Sequence, residues 1–167
     1  MIILRSSGNS WELLSLTMRN VRNGWKLMVV DWEYDTNPKI SKASNVKSPH
    51  QIYYDLAESL SCIDILNYIK IYNGRICASN LLSTNKKKQP ITKIGQDGVV
   101  GVELLIHLEH KNIDFYSLTS SQKGSGSQMV KSIVGATPDG WTIMVTMDWS
   151  GGFWDKMIDE YPQIIVL

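Results

Sequence analysis

Residues Leu118 to Gln128, LTSSQKGSGSQ, constrain this chain more than any other stretch. A β-favouring run from Ile113 to Leu118 ends in serines. A Gly-Ser-Gly-Ser loop follows, and then apolar residues at Met129, Val130, Ile133 and Val134. Met129 and Ile133 are four apart, as are Val130 and Val134, so each pair shares one face of a helix. A strand that breaks into glycines and re-forms as a helix leaves the N–H groups of the first turn without intrahelical partners. Those groups and the positive end of the helix dipole suit an anion. Two readings stand: a phosphate cradle, or a Gly/Ser turn with a serine N-cap.

From the start of the chain, Ile2 to Leu4 reads as a short opening strand. Ser7-Gly8-Asn9-Ser10 offers a helix cap, and Trp11, Leu14, Met18 and Val21 recur at three- and four-residue spacing. That spacing predicts an amphipathic helix over Trp11–Val21, ended by Asn23-Gly24. Trp25 to Trp32 is β-rich and reads as a strand. Residues 34–49, rich in Asp, Asn, Pro and Ser, form an expected irregular loop, either a substrate lid or a surface connection. Pro49 opens a second helix with Ile52, Tyr53, Leu56 and Leu60 on one face. In Asn67–Leu82 two β-favouring runs flank Asn73-Gly74, the strongest short-range hairpin signal.

Val99 to Lys111, VVGVELLIHLEHK, fits a buried strand or a buried helix, and periodicity does not arbitrate. Glu103 and His107 share a face in both, because four residues is an even number and also about one helical turn. Beyond the glycine loop and its helix, Thr137-Pro138-Asp139-Gly140 is a turn. Trp141–Trp149 reads as a strand, Ser150–Tyr161 as a short helix opening at Gly151-Gly152, and Ile164–Leu167 as a closing strand. Ser6–Trp32 and Ser120–Trp149 share their punctuation: serines, a glycine, an expected helix, Gly-Trp, a strand, Asp-Trp. Two common units that punctuate alike is the favoured explanation, ahead of duplication.

At 167 residues the chain is sized for one domain, residues 1–167. Its net charge of +1 provides no global field for nucleic acid or an anionic membrane. Lys86-Lys87-Lys88, a basic run, reads as a solvated loop tip. Cys62 and Cys77 form no CxxC pair and no zinc pattern, so both are expected to be buried thiols in a reducing compartment. No apolar stretch nears the roughly 18 residues that span a bilayer. MIILR has no apolar run behind it, so no signal peptide is expected and the setting is expected to be cytoplasmic.

The C-terminal third, residues 113–167, resembles the GNAT superfamily of acyl-CoA N-acyltransferases. The order is strand, glycine-rich turn, helix, strand, second helix, final strand. The family's loop runs Arg/Gln-x-x-Gly-x-Gly/Ala, and its last helix often reads Phe-Tyr-Glu-Lys followed by a hydrophobic residue. Here the loop is Ser121-Gln122-Lys123-Gly124-Ser125-Gly126 and the helix reads FWDKM, Phe153 to Met157. The resemblance implies an α+β fold of the α/β-sandwich type: a mixed, mostly antiparallel central sheet flanked by helices. It also implies transfer of an acyl group, in the first instance acetyl, from acyl-CoA to an amine by direct attack on the thioester.

Under that resemblance, backbone N–H groups of Lys123, Gly124, Ser125, Gly126 and Ser127 hold the pyrophosphate. The side chains of Lys123, Ser125 and Ser127 add donors. The strands ending at Leu118 and Trp149 splay, the pantetheine arm pairs with the backbone from Tyr116 to Leu118, and Phe153 and Trp154 wall the thioester end. Acetyl-CoA or another acyl-CoA is the co-substrate, and no metal is expected from Glu103, His107 and His110. Glu103 and His107, with Glu109 or Asp148 as further options, are the candidate bases. Ser121 stands at the first signature position, and Trp154 where many members carry a tyrosine. Both departures favour the alternative of a catalytically silent CoA-binding or protein-interaction module. A nucleotide-binding protein ranks last, because Gly-Lys-Ser/Thr is missing and Met129 replaces the final glycine of a dinucleotide fingerprint. The amine acceptor is open, and a homodimer is among the open assemblies.

Overall fold

The computed structural model describes residues 2–7, 10–21, 24–30, 37–148 and 150–167, the first three segments as backbone. Its N-terminal strands are β1 (Ile2–Ser7), β2 (Ser10–Val21) and β3 (Gly24–Val30). The segment expected as a helix over Trp11–Val21 is therefore a strand. Residues four apart share a face in either element, and Leu14, Leu16 and Met18 satisfy the two-residue period as well. Partners decide between the two: β2 pairs antiparallel with β1 on one side and with β3 on the other. The shared punctuation of Ser6–Trp32 and Ser120–Trp149 is thus no structural duplication. Trp32 and Trp149 lie outside the described residues, as do residues 34–36 of the expected loop.

These three strands belong to one compact unit, Met1–Pro38, and the rest of the chain forms a second, Lys39–Leu167. The second unit opens with β4 (Ile40–Lys42), a short strand inside the stretch expected to be irregular. It continues with α1 (Gln51–Ser61), β5 (Tyr68–Tyr72), β6 (Arg75–Ser79), β7 (Val100–His107) and β8 (Asn112–Ser120). Then come α2 (Ser125–Ala136), β9 (Thr142–Val145), α3 (Phe153–Glu160) and β10 (Ile164–Val166). The strands make one seven-stranded sheet in the order β10-β9-β8-β7-β6-β5-β4. With its three helices this is an α+β unit.

The sheet is mixed, and less antiparallel than expected. Antiparallel pairing holds its centre, β5 to β8, while β4–β5, β8–β9 and β9–β10 pair parallel. The parallel edges follow from helical crossovers, since α1 separates β4 from β5 and α2 separates β8 from β9. The Asn73-Gly74 hairpin forms as expected, with Tyr72 opposite Arg75 and Gly74 at φ 77°. Only the second turn position takes a positive φ, Asn73 keeping a negative one, so the turn is not of type I′, and glycine meets that φ without a Cβ clash. The Gly74 N–H donates to the Tyr53 hydroxyl at 3.1 Å, which ties the turn to α1.

One apolar cluster joins all three helices to a single face of the sheet. From α1, Ile52, Tyr53, Leu56 and Leu60 are buried, the four residues expected to share a face. The helix starts at Gln51, where His50 Nδ1 accepts from the Ile52 N–H at 3.2 Å. Met129, Val130 and Ile133 come from α2, and Trp154 and Met157 from α3. The open choice over 99–111 resolves as strand: Val102, Leu104 and Ile106 enter the core, and Glu103 and Leu105 alternate to the other face. Burying each such aliphatic side chain stabilises the fold by about 2 kcal/mol.

Candidate functional site

The candidate site begins where two strands part. β8 runs to Ser120 and β9 to Val145, yet their ladder holds only from Asn112–Asp114 to Thr142–Met144. The next polar groups of the β9 chain turn elsewhere. Thr146 donates its N–H to one oxygen of the Asp114 carboxylate at 3.2 Å and its hydroxyl to the other at 2.6 Å. On its other side β8 carries a bulge: Glu103 opposes Ser117 and Leu104 opposes Phe115, which leaves Tyr116 as the extra residue. A bulge bends its strand and raises the local twist. Both effects leave the β9-facing edge of β8 unpaired beyond Asp114.

The opening is a groove of about 420 Å³. It is lined by Gln122, Lys123, Gly124, Gly126 and Ser127 from the glycine turn, by Phe115 to Ser120 from β8, and by Met147, Phe153 and Trp154, with the Phe153 ring against Gly126. The fold thus brings together Tyr116, Leu118, Lys123, Gly124, Gly126, Ser127, Phe153 and Trp154. Ser125 stands apart. Its side chain is buried away from the groove, and its N–H donates to the Gln122 carbonyl at 3.3 Å.

The glycine turn has a local cause. Gly124, at φ 88°, is the N-cap of α2 in the left-handed region, which a residue with a Cβ adopts at a cost of about 1–2 kcal/mol. No side chain caps this helix. The first intrahelical donor is the Gln128 N–H, bonded to the Gly124 carbonyl at 3.1 Å, so the amides of Gly126 and Ser127 precede the ladder. Gly126 lacks a side chain for a different reason: a Cβ there would lie 3.3 Å from two atoms of the Phe153 ring.

The aromatic wall is packed into the core. Trp154 is buried and packs edge-on against Phe115 and Phe153, with ring centroids at 5.0 and 5.1 Å. α3 is aimed by the turn before it. The Ser150 hydroxyl oxygen accepts from the Phe153 N–H at 3.1 Å, and the same hydroxyl donates to Asp148. The Ser150 hydroxyl and amide together hold the exposed Asp148 carboxyl below the usual carboxylate range. Asp148, an optional base, serves here as a turn anchor.

A second groove, of about 480 Å³, continues from the first through their shared residues Ile94, Tyr116, Ser117 and Met147. Glu103 lies in its wall. One Glu103 oxygen takes a 3.0 Å ion pair from Arg75, and the other accepts from the Thr92 hydroxyl at 3.0 Å. Ser117 fixes Thr92 in turn by donating to its carbonyl at 3.1 Å. Beside them, opposite Glu103 in the ladder, Cys77 is buried. Burial first, then the Glu103 charge, push its thiol up to about 12, with Arg75 pulling the other way. Such a thiol is inert at neutral pH.

His107 is not part of this arrangement. It sits exposed at the end of β7, four residues and so ~13 Å along the strand from Glu103, and lines neither groove. Glu109 and His110 are exposed in the turn that follows. Among the described residues no three His, Cys, Asp or Glu groups gather as a metal site. No helix among them is long and apolar enough to cross a membrane.

Several lining residues carried little signal in the sequence. Ile94 lies with Ile91 in the otherwise polar stretch 85–98, where no periodicity marks it. Thr92 and Arg75 had no signal, because only the pairing of β6, β7 and β8 brings them to Glu103. No protein-family model, no curated protein and no solved structure matches the chain. Functional weight therefore falls on the groove and its chemistry.

Proposed function

We propose that the Lys39–Leu167 unit binds an acyl-CoA thioester in the groove between β8 and β9. From there it transfers the acyl group, acetyl in the first instance, to an amine. The finer description of the fold as a GNAT-like sandwich belongs to the same proposal. One observation carries it: the ladder stops at Asp114 and Met144, and the gap leads straight to the glycine-capped start of α2. A long ligand with an anionic end and an extended amide-bearing arm has the right shape for such a gap. The order of elements and the FWDKM helix add support.

In this reading the free amides of Gly126 and Ser127 and the Lys123 side chain receive the pyrophosphate. The unpaired edge of β8 from Tyr116 to Leu118 supplies backbone partners to the pantetheine amides, as an added strand would. Phe153 and Trp154 form the apolar wall. The reaction needs a group that takes a proton from the ammonium and donors for the developing oxyanion. Glu103 is the carboxylate that borders this path, whereas His107 is too far along β7 to serve it. A cytoplasmic setting, where acyl-CoA is available and thiols stay reduced, fits the proposal.

A second reading is favoured by two specific observations. Both Glu103 oxygens already have protein donors, and Trp154 offers no hydroxyl to protonate a departing thiolate. The unit would then bind CoA without turnover. The experiment is a calorimetric titration with acetyl-CoA followed by a thiol-release assay over a panel of amines. Binding with CoA release supports the enzyme; binding without release from any amine supports the silent module. Absence of binding overturns both.

A further inference from the structure

We infer that the second groove is an acceptor subsite for a lipophilic primary monoamine, one ammonium carried on an alkyl or arylalkyl body. The inference rests on the acyl-transfer reading above. Eight large hydrophobic side chains are exposed among the described residues, and three of them, Ile94, Tyr116 and Met147, converge on this groove at 47%, 49% and 49% exposure. Isolated exposed apolar residues are ordinary on a protein surface, but a cluster lining a concavity marks a place where an apolar ligand removes them from water. Ile91 extends the same wall. Tyr116 is there because of the bulge opposite Glu103 and Leu104.

The charges in the groove narrow the class. Glu103 is its one carboxylate, and Lys93 stands exposed in the same lining. Each Glu103 oxygen has one protein donor and keeps a second lone-pair site, so a single ammonium can be received. A polyamine or a lysine-rich tail brings several cations to a groove with no further carboxylate and one lysine, and is disfavoured. The step balances without another reactant. The bound ammonium loses one proton, to Glu103 and then to solvent. The nitrogen lone pair forms the C–N bond, the C–S bonding pair leaves on sulfur, and a second proton from nitrogen neutralises the thiolate.

The test uses the full chain, acetyl-CoA and a homologous series from n-propylamine to n-octylamine, with 2-phenylethylamine and spermidine alongside. The readouts are CoA release and acetyl-CoA binding in the same preparation. Expected is a kcat/KM that climbs by up to about fourfold per added methylene until the groove is filled. Spermidine should lie at least about tenfold below hexylamine, and Lys93→Glu should narrow that gap. If acetyl-CoA binds but kcat/KM is flat along the series, or spermidine is preferred, the subsite inference is overturned while CoA binding survives. If amines of every kind leave CoA intact, the subsite is no acceptor site. A protein that does not bind acetyl-CoA removes the acyl-transfer reading and this inference with it.

Discussion

Asp114 and Thr146 are joined twice, through the Thr146 N–H at 3.2 Å and its hydroxyl at 2.6 Å, and the parallel ladder between β8 and β9 ends at that point. A carboxylate that accepts a backbone amide takes the place of a strand carbonyl. It binds the two chains at one level and releases them beyond it. Asp114 is buried at 6% exposure, so losing a partner there is felt.

Thr146→Val should lower unfolding free energy by about 1.5–3 kcal/mol, the worth of one hydrogen bond to a charged group. Asp114→Ala should cost more, because it strands the Thr146 amide. Urea melts at constant slope check both, and an unchanged midpoint in both variants contradicts the role given to this pair.

The glycines of the α2 turn make separable predictions. Gly124→Ala forces a Cβ onto a φ of 88° and should cost about 1–2 kcal/mol in stability. Gly126→Val should act mainly on the ligand, since its side chain would press on Phe153 and fill the groove. Acetyl-CoA affinity should fall by at least about tenfold in Gly126→Val. Circular dichroism separates lost binding from lost fold.

Trp154→Ala removes a buried ring held between Phe115 and Phe153 and should destabilise by about 3–5 kcal/mol. Trp154→Phe, which keeps an aromatic wall, should recover most of that loss in the same denaturation experiment.

Cys77 predicts a pH dependence. Its folded thiol titrates at about 12, against 9.0 for an ordinary cysteine, so the unfolded state gives up this proton first. Stability is unaffected below pH 9 by this group and falls between about pH 9 and 12, by up to about 1.4 kcal/mol per pH unit. Cys77→Ala should flatten that part of the fall relative to the parent. A thiol reagent at pH 8 should label exposed Cys62 alone in the native protein and both thiols in urea.

Local chemistry made part of this architecture legible. Asn73-Gly74 specifies its hairpin because a two-residue turn with positive φ has few other solutions. Ile52, Tyr53, Leu56 and Leu60 mark the buried face of α1 through a helical period that no strand period imitates. The Gly-Ser turn and FWDKM both supply residues that line the first groove. Where the reading failed, long-range pairing decided. Leu14 and Met18 fit both periods, Trp11 and Val21 only the helical one, and the neighbours β1 and β3 made the segment a strand. His107 shares a face with Glu103, as four-residue spacing requires, but a strand stretches that spacing to ~13 Å and carries His107 away from the groove. The partners of Glu103, Arg75 and Thr92, come from distant positions brought together by sheet order alone.

The most direct measurement is calorimetric titration of the full chain with acetyl-CoA, paired with the Gly126→Val variant. One site per chain is expected, with a Kd in the range of about 1–100 μM, and a loss of that heat in the variant while its fold persists. No heat up to about 1 mM acetyl-CoA, or equal binding by the variant, would contradict the placement of a CoA thioester between β8 and β9.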